Sequence, residues 1–564
     1  MQSEDVLFFK NIKADIEKIV LGYVSVRSFT ASCAENEAGS YFENYFANIE
    51  YFKRHPEMFG SYSIEGDMLC RSVNWAMLKG TGNGTVVLIH HNDIVSVEDF
   101  KLLKDLAFSP VELEKGLHDI RETLSEEAKS DLDSGNYLFG RGTCDMKGGG
   151  AIQMALMERY SRIADRIPGN IIILGLPDEE NMSAGMRSAV VLLKELKDKY
   201  SLNFMLMINS EPHQRKAPEE GVFSIGSVGK LMPFIYVRGF LAHAGKVFEG
   251  FNPLNVLCEI VRNTEMSWEF SDQVGTEASP PPTWLFLKDR KEHYDVSMPL
   301  SAYGYFSLLT LKQEPAEVLT KVREVSRMSF EKVLADINIS YGSFCKATGR
   351  KTTSLPWKVN VTSFADLCKE AEANMGKTFN KRYAAKLHEL SLDIQNSISY
   401  KECNCDLIDW LFENITDLAP RVVYGFIPPY YPHVSNISLH ALNKDIACLP
   451  EELKNFVMET WGQEYDVESF YTGISDLSYS GISDSDRIQK TLCESMPFWG
   501  SVYKVPIKVI EQIAMPCINI GPWGKDFHKM TERVYKEDLY DRTVRIIKYA
   551  VDRTISTYGK GVGK

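Results

Sequence analysis

Short, continuous apolar runs punctuate the first two hundred residues: Thr85–His90 (TVVLIH), Asn170–Leu176 (NIIILGL) and Asn203–Ile208 (NFMLMI). Runs of this length that do not alternate with polar residues predict strands buried on both faces, the habit of a parallel sheet. Between the first two, a glycine-rich turn leads into Ile152–Ile163, whose pattern predicts a helix. Strand and helix signals in this order predict an α/β layer architecture. The pattern then changes. Leu231–Arg238 predicts a strand, Asn252–Val274 a largely helical stretch, Thr283–Leu287 and Ala302–Thr310 further strands, and Glu314–Ile337 a charged helix. That β-α-β-β-α order suggests a separate α+β domain. Helical, charged signals continue from Phe364 to Asp417. Buried-strand character returns at Arg421–Ile427 and Pro516–Ile520, and a helix is expected near Asp538–Thr557.

With 564 residues the chain is too long for one ordinary core. The expected fold is α/β. A main domain, with a mostly parallel central sheet flanked by helices, takes residues 1–213 and 396–564. An inserted α+β lid domain with an extra helical segment takes residues 214–395. No repeat of solenoid length and no low-complexity segment disturbs this plan. No apolar run approaches the length that spans a bilayer, so no membrane partner is expected. The first twenty residues read as an amphipathic helix rather than a signal peptide. Eleven cysteines without metal-ligand pairing fit reduced thiols in a cytoplasm. A net charge of −13 argues against a nucleic-acid partner, whose phosphates need a basic surface.

The chemistry gathers where the strands end. In open α/β sheets ligands bind beyond the carboxyl ends of the strands. TVVLIH runs into His91-Asn92-Asp93. The strand-like Tyr137–Phe139 runs into a glycine-rich turn carrying Asp145. NIIILGL delivers Asp178-Glu179-Glu180, NFMLMI delivers Glu211, and Pro516–Ile520 leads through a glycine-containing loop to His528. Each alone has a mundane reading: a surface turn for His91 and Asp93, a helix N-cap for Asp145, a solvated acidic turn for Glu179 and Glu180, a loop histidine for His528. Together they put imidazoles and carboxylates on one edge of one sheet, the ligand set that divalent metals of the zinc type take.

These segments resemble, in order, the motifs of a known family. It is the zinc peptidase family of carboxypeptidase G, aminoacylase, acetylornithine deacetylase, succinyl-diaminopimelate desuccinylase and peptidases T and V. The matching pieces are HND at 91–93, GRGTCDMKGG at 140–149, PDEENMSAG at 177–185, SEP at 210–212 and GPWGKDFHKMTERV at 521–534. SVRSFTASCAENEAG (25–39) and VRGFLAHAGKVFEGFNP (237–253) resemble its N-terminal signature and its lid segment. GFIPPYYPH (425–433) and TGISDLSYSG (472–481), with the chain length, point to an arginine-utilisation branch. The resemblance implies a zinc-exopeptidase-like catalytic domain holding two zinc ions, with cobalt or manganese as substitutes. His91, Asp145 and Glu211 would bind one; Asp145, Glu180 and His528 would bind the other. Asp93 would hold the His91 ring in its ligating tautomer. Glu179 would be the general base, His243 the lid donor to the developing oxyanion, and Asn252 a substrate contact.

The implied substrate is a small peptide or N-acyl amino acid, the protein a monomer or homodimer. A metal-binding protein of amino-acid metabolism without hydrolytic activity is the alternative. His90, beside the ligand histidine, stands where the family usually has glycine, and strand alternation should point it away. Lys230, Arg238 and Arg290 are candidates for gripping a substrate carboxylate. Residues 89–137, rich in acids and lysines, read as a pocket rim or a solvated excursion.

Overall fold

Gly84–His91 and Asn170–Leu176 are buried at every residue, and Asn203–Asn209 at every residue but the first. A fully buried Val, Leu or Ile contributes about 1.5–3 kcal/mol, which places such strands at the centre of a sheet. A computed structural model, describing residues 3–215, 220–395, 399–438 and 444–558, shows how. The chain divides into two compact units: residues 1–228, 432–483 and 506–564 form the first, residues 229–431 and 484–505 the second.

The first unit is built on an eight-stranded sheet in the order Phe59–Ser63, Ser72–Leu78, Asn170–Leu176, Gly84–His91, Asn203–Asn209, Cys517–Asn519, Glu220–Ser224, Glu464–Glu468. The four strands from Asn170–Leu176 to Cys517–Asn519 run parallel to one another, so their carboxyl ends share an edge. Helices Lys147–Ser161 and Thr543–Tyr558 pack on the strand Gly84–His91, and Ala184–Tyr200 packs on Asn170–Leu176. Lys147–Ser161 is buried almost throughout, which explains its run of small and apolar residues. The mixed, mostly parallel sheet flanked by helices is the architecture expected.

The second unit holds a six-stranded sheet. Its main path is Thr283–Asp289, Ser301–Thr310, Pro233–Arg238, Arg421–Phe426, Val361–Ser363. Helices Pro253–Thr264 and Pro315–Ala347 pack on it. The extra helical segment covers one face: Phe234, Tyr236, Tyr303 and Val423 share a core with Phe364, Leu367, Leu390, Leu407, Ile408 and Leu411.

Three expectations change. Arg421–Phe426, read with the returning main domain, pairs along its length with Pro233–Arg238 and so lies in the second sheet. Continuous burial marks a central strand without saying of which sheet. The main domain resumes at residue 432 and is interrupted again by 484–505; residue 396, the expected resumption point, lies outside the described residues. Tyr137–Phe139 pairs with Arg533–Tyr535 in a small three-stranded sheet, not in the central one. Within residues 89–137, the stretch from Ile94 to Tyr137 builds a satellite core rather than a loose solvated excursion, with Phe100, Leu103, Phe108, Leu113, Leu117 and Leu132 packed together. Among the described residues no helix is long and apolar enough to cross a membrane.

Candidate metal centre

The shared edge of the parallel strands brings the predicted ligands together. His91 ends its strand, and its Nε2 lies 2.9 Å from Asp145 Oδ1 and 3.7 Å from Glu211 Oε1. His528 Nε2 lies 3.1 Å from the other Asp145 oxygen and 2.9 Å from Glu180 Oε1. Ligand atoms of His91, Asp145 and Glu211 lie within 4.8 Å of one another, and so do those of Asp145, Glu180 and His528. Asp145 therefore stands between two donor sets, with one oxygen toward each imidazole. Glu179 stands outside both sets and is buried.

Local packing aims these groups. Strand alternation sends the His90 ring to the opposite side, where Gln153 and Tyr23 hold it, 3.0 and 3.3 Å away. The Asp93 backbone carbonyl lies 3.1 Å from His91 Nδ1, and the Asp93 carboxylate oxygen 3.4 Å from it. That carboxylate also accepts the backbone N–H groups of Glu179 and Glu180, so one residue orients a ligand ring and the acidic turn. The turn starts at Asp178 with φ 70° and closes at Ser183 with φ 49°, left-handed conformations that non-glycine residues adopt at a cost. The guanidinium of Arg71, buried beside Glu35 and Asp67, holds the Asp178 carboxylate at 2.6 Å. Glycine is needed twice at Glu211: a Cβ on Gly149 would come within 2.2 Å of the Ser210 carbonyl, and one on Gly521 within 1.9 Å of the Glu211 carbonyl.

The Asp145 loop has no place in the central sheet, and a residue that sequence reasoning passed over fixes it. Glu532, fully buried, accepts the backbone N–H groups of Gly142, Cys144 and Asp145 and pairs with Arg141 at 2.6 Å. Its only mark in the sequence is its place four residues after His528. Removing one partner of a buried ion pair costs about 3–5 kcal/mol. Glu532→Ala is expected to lower the unfolding midpoint and weaken metal binding, measured by denaturation and metal titration. Glu532→Gln, which keeps an acceptor for the loop amides, should do less harm.

The electrostatics ask for cations. Burial pushes Glu179 and Glu211 well above the ordinary carboxylate range, and burial followed by the nearby Asp145 raises Glu180. Burial would lower His91, but Glu211, Asp145 and Asp93 together raise it well above its usual value. Hydrogen bonds to Asp145 and Glu180 raise His528 to about 10. Burial would also raise Asp145, but His528 and His91 outweigh it and hold the carboxyl below its usual range. A buried edge this rich in acid keeps protons where cations could sit. Two imidazoles and three carboxylates, without thiolate, suit a pair of zinc-type ions.

His243 and Asn252 belong to the second unit. His243 is exposed, its Nδ1 accepting the Gly245 N–H at 3.0 Å. Asn252 caps helix Pro253–Thr264 by accepting the Leu254 N–H. Arg290 is engaged with Asp406 and Asp409, and Arg238 lies over the Phe412 ring.

The profile of Peptidase family M20/M25/M40 matches residues 120–552. Two proteins of Bacillus subtilis (strain 168) are similar along nearly the whole chain. YqjN is 28% identical over 542 residues, covering 96% of this chain and 96% of its own. RocB is 25% identical over 558 residues, covering 96% and 95%. Among solved structures, the dipeptidase Dug1p from Saccharomyces cerevisiae superposes with a TM-score of 0.51 at 11% identity, covering 97% of this chain and 98% of that one. At that identity the likeness speaks for the fold.

Proposed function

The chain belongs to peptidase family M20/M25/M40, and from that premise we propose that it is a dinuclear zinc amidohydrolase or exopeptidase acting on a small amino-acid-derived substrate. As a family member it is a metal-dependent hydrolase of C–N bonds. The observation that carries the finer reading is the pair of donor sets sharing Asp145, with Glu179 left over beside them.

In this reading His91, Asp145 and Glu211 hold one ion, and Asp145, Glu180 and His528 the other. Bound there, the ions would polarise the scissile carbonyl and bring the pKa of water to about 7. The chain's own residues do the rest. Asp93 keeps the His91 ring turned to its ligand position and ties down the backbone of Glu179 and Glu180. Glu179 takes the proton from the attacking water on its carboxylate and passes it to the leaving nitrogen. The resemblance gives His243 the part of donor to the developing oxyanion. His243→Ala is expected to lower turnover about 10²–10³-fold with metal content unchanged; a steady-state assay beside elemental analysis checks both.

Metal uptake should be linked to pH. In the metal-free chain His528 keeps its proton up to about 10, because Asp145 and Glu180 favour the imidazolium. A metal binding at pH 7 must displace that proton. Calorimetric titration in two buffers of different ionisation enthalpy is expected to show net proton release, and affinity is expected to fall as pH falls.

The substrate reading is an N-acyl amino acid or dipeptide, and likeness to RocB supports one derived from arginine. The test is a panel of dipeptides and N-acyl amino acids, arginine derivatives included, incubated with metal-loaded protein with and without chelator. Chelator-sensitive release of free amino acid supports the proposal. No cleavage of any member by fully loaded protein counts against hydrolysis and for the metal-binding alternative.

A further inference from the structure

The turn Asp476–Ser480, preceded by Ser475, lies in TGISDLSYSG (472–481) and belongs to neither donor set. It is nonetheless buried: Ser475, Ser478 and Ser480 are fully covered, and Asp476 is 2% exposed. Polar groups removed from water are mostly kept where they have partners; here most do, the exceptions being Asp476 Oδ2 and the Ser480 hydroxyl. Ser475 Oγ accepts from Asn209 Nδ2 at 2.8 Å and from the Leu477 N–H at 3.2 Å. Asp476 Oδ1 accepts from Ser183 Oγ at 2.8 Å, and the Ser480 carbonyl accepts from the Met515 N–H at 3.0 Å. Asn209 ends the strand that leads to Glu211. Ser183 closes the turn that carries Glu179 and Glu180. Met515 precedes the strand that leads to His528. The turn thus touches three of the segments that deliver the acidic and imidazole groups.

The tie to Ser183 stands out. The acidic turn is left-handed at both ends, at Asp178 and at Ser183. Such conformations persist where the surroundings over-determine them. Arg71 secures the Asp178 end. At the other end Asp476 receives the Ser183 hydroxyl, a buried side-chain bond that fixes where the turn closes.

We propose that Asp476 is a positioning residue that, through the Ser183 hydroxyl, clamps the turn 178–183 in the conformation that presents Glu180 to its donor set and leaves Glu179 beside it. This rests on the functional reading above for its effect on turnover, but not for its effect on metal binding.

The experiment compares Asp476→Ala, Ser183→Ala, the double variant and Asp476→Asn in the full chain. It measures the cobalt(II) affinity of the metal-free protein, the visible spectrum of the cobalt-loaded protein, and kcat and KM of the loaded protein. Removing a group that orients a ligand typically costs about 10–100-fold in metal affinity or activity. Both single alanine variants are expected to lose that much cobalt affinity and kcat, with altered cobalt spectra and KM within about twofold of wild type. The double variant should be no worse than the poorer single variant, since both break the same bond. Asp476→Asn, which retains an oxygen acceptor, should recover most of the loss. Ser183→Ala removes one hydroxyl and keeps the experiment decisive if Asp476→Ala fails to fold. Wild-type cobalt affinity and spectrum in Ser183→Ala, additive losses in the double variant, or Asp476→Asn as poor as Asp476→Ala would overturn the proposal. If wild-type protein binds cobalt but cleaves no substrate, the hydrolase reading fails while the affinities and spectra still decide the role of Asp476.

Discussion

Asp145→Ala is expected to lose both metal ions and to reduce turnover at least about 10³-fold. A bound divalent ion supplies several kcal/mol of transition-state stabilisation, and about 1.4 kcal/mol is worth a factor of ten. The size of the effect follows from geometry. Asp145 is the one residue common to both donor sets, with an oxygen 2.9 Å from His91 Nε2 and the other 3.1 Å from His528 Nε2. Without it each set falls to two protein ligands, His91 with Glu211 and Glu180 with His528. Catalytic zinc sites ordinarily use three. Elemental analysis after desalting, run beside the hydrolysis assay, checks both halves. A variant that keeps two ions per chain would show that the sets do not depend on the shared carboxylate.

Glu179→Gln is expected to separate binding from chemistry. Glu179 belongs to neither donor set, and its backbone N–H is secured by Asp93 at 3.1 Å. The amide variant therefore changes the side chain's ability to take a proton while leaving the turn tied down. General-base catalysis contributes typically about 10²–10⁴-fold, so turnover should fall by that range with metal content and KM close to wild type. Turnover within tenfold of wild type would assign the proton transfer to another group.

Much of this site was legible because strand ends in a parallel sheet are ordered by the chain itself. A buried run such as NIIILGL announces a central strand, and whatever follows it arrives at the ligand edge. His91, Glu180, Glu211 and His528 can be gathered on that basis from the sequence alone. Asp145 came to the same place by a different route. Its approach strand, Tyr137–Phe139, is three residues long and pairs with Arg533–Tyr535, and the loop beyond it is held by Glu532. An acid that works by accepting backbone amides leaves no periodic or spacing signal, so within GPWGKDFHKMTERV nothing singled out Glu532. Arg71 was hidden for a related reason: its partners Glu35 and Asp178 lie 36 and 107 residues away in sequence. Asp476 could be marked only as part of a recognisable string, because its contact with Ser183 spans 293 residues.

The second unit was harder to read for a physical reason as well. Arg421–Phe426 is buried throughout and looks like any central strand. Its allegiance to the second sheet depends on pairing with Pro233–Arg238, almost two hundred residues earlier. Helix Pro315–Ala347 runs ten residues beyond the expected end at Ile337. Its last turns carry exposed residues such as Ile339 and Phe344, so the amphipathic pattern fades before the helix does. The helices beyond Phe364, whose purpose the pattern left open, bury one face of that sheet.

The most direct test of the dinuclear reading is anomalous X-ray scattering at the zinc edge from crystals of zinc-loaded protein. Two peaks are expected, one among His91, Asp145 and Glu211 and one among Asp145, Glu180 and His528, with Asp145 reaching both. A single peak, or peaks away from Asp145, would contradict it.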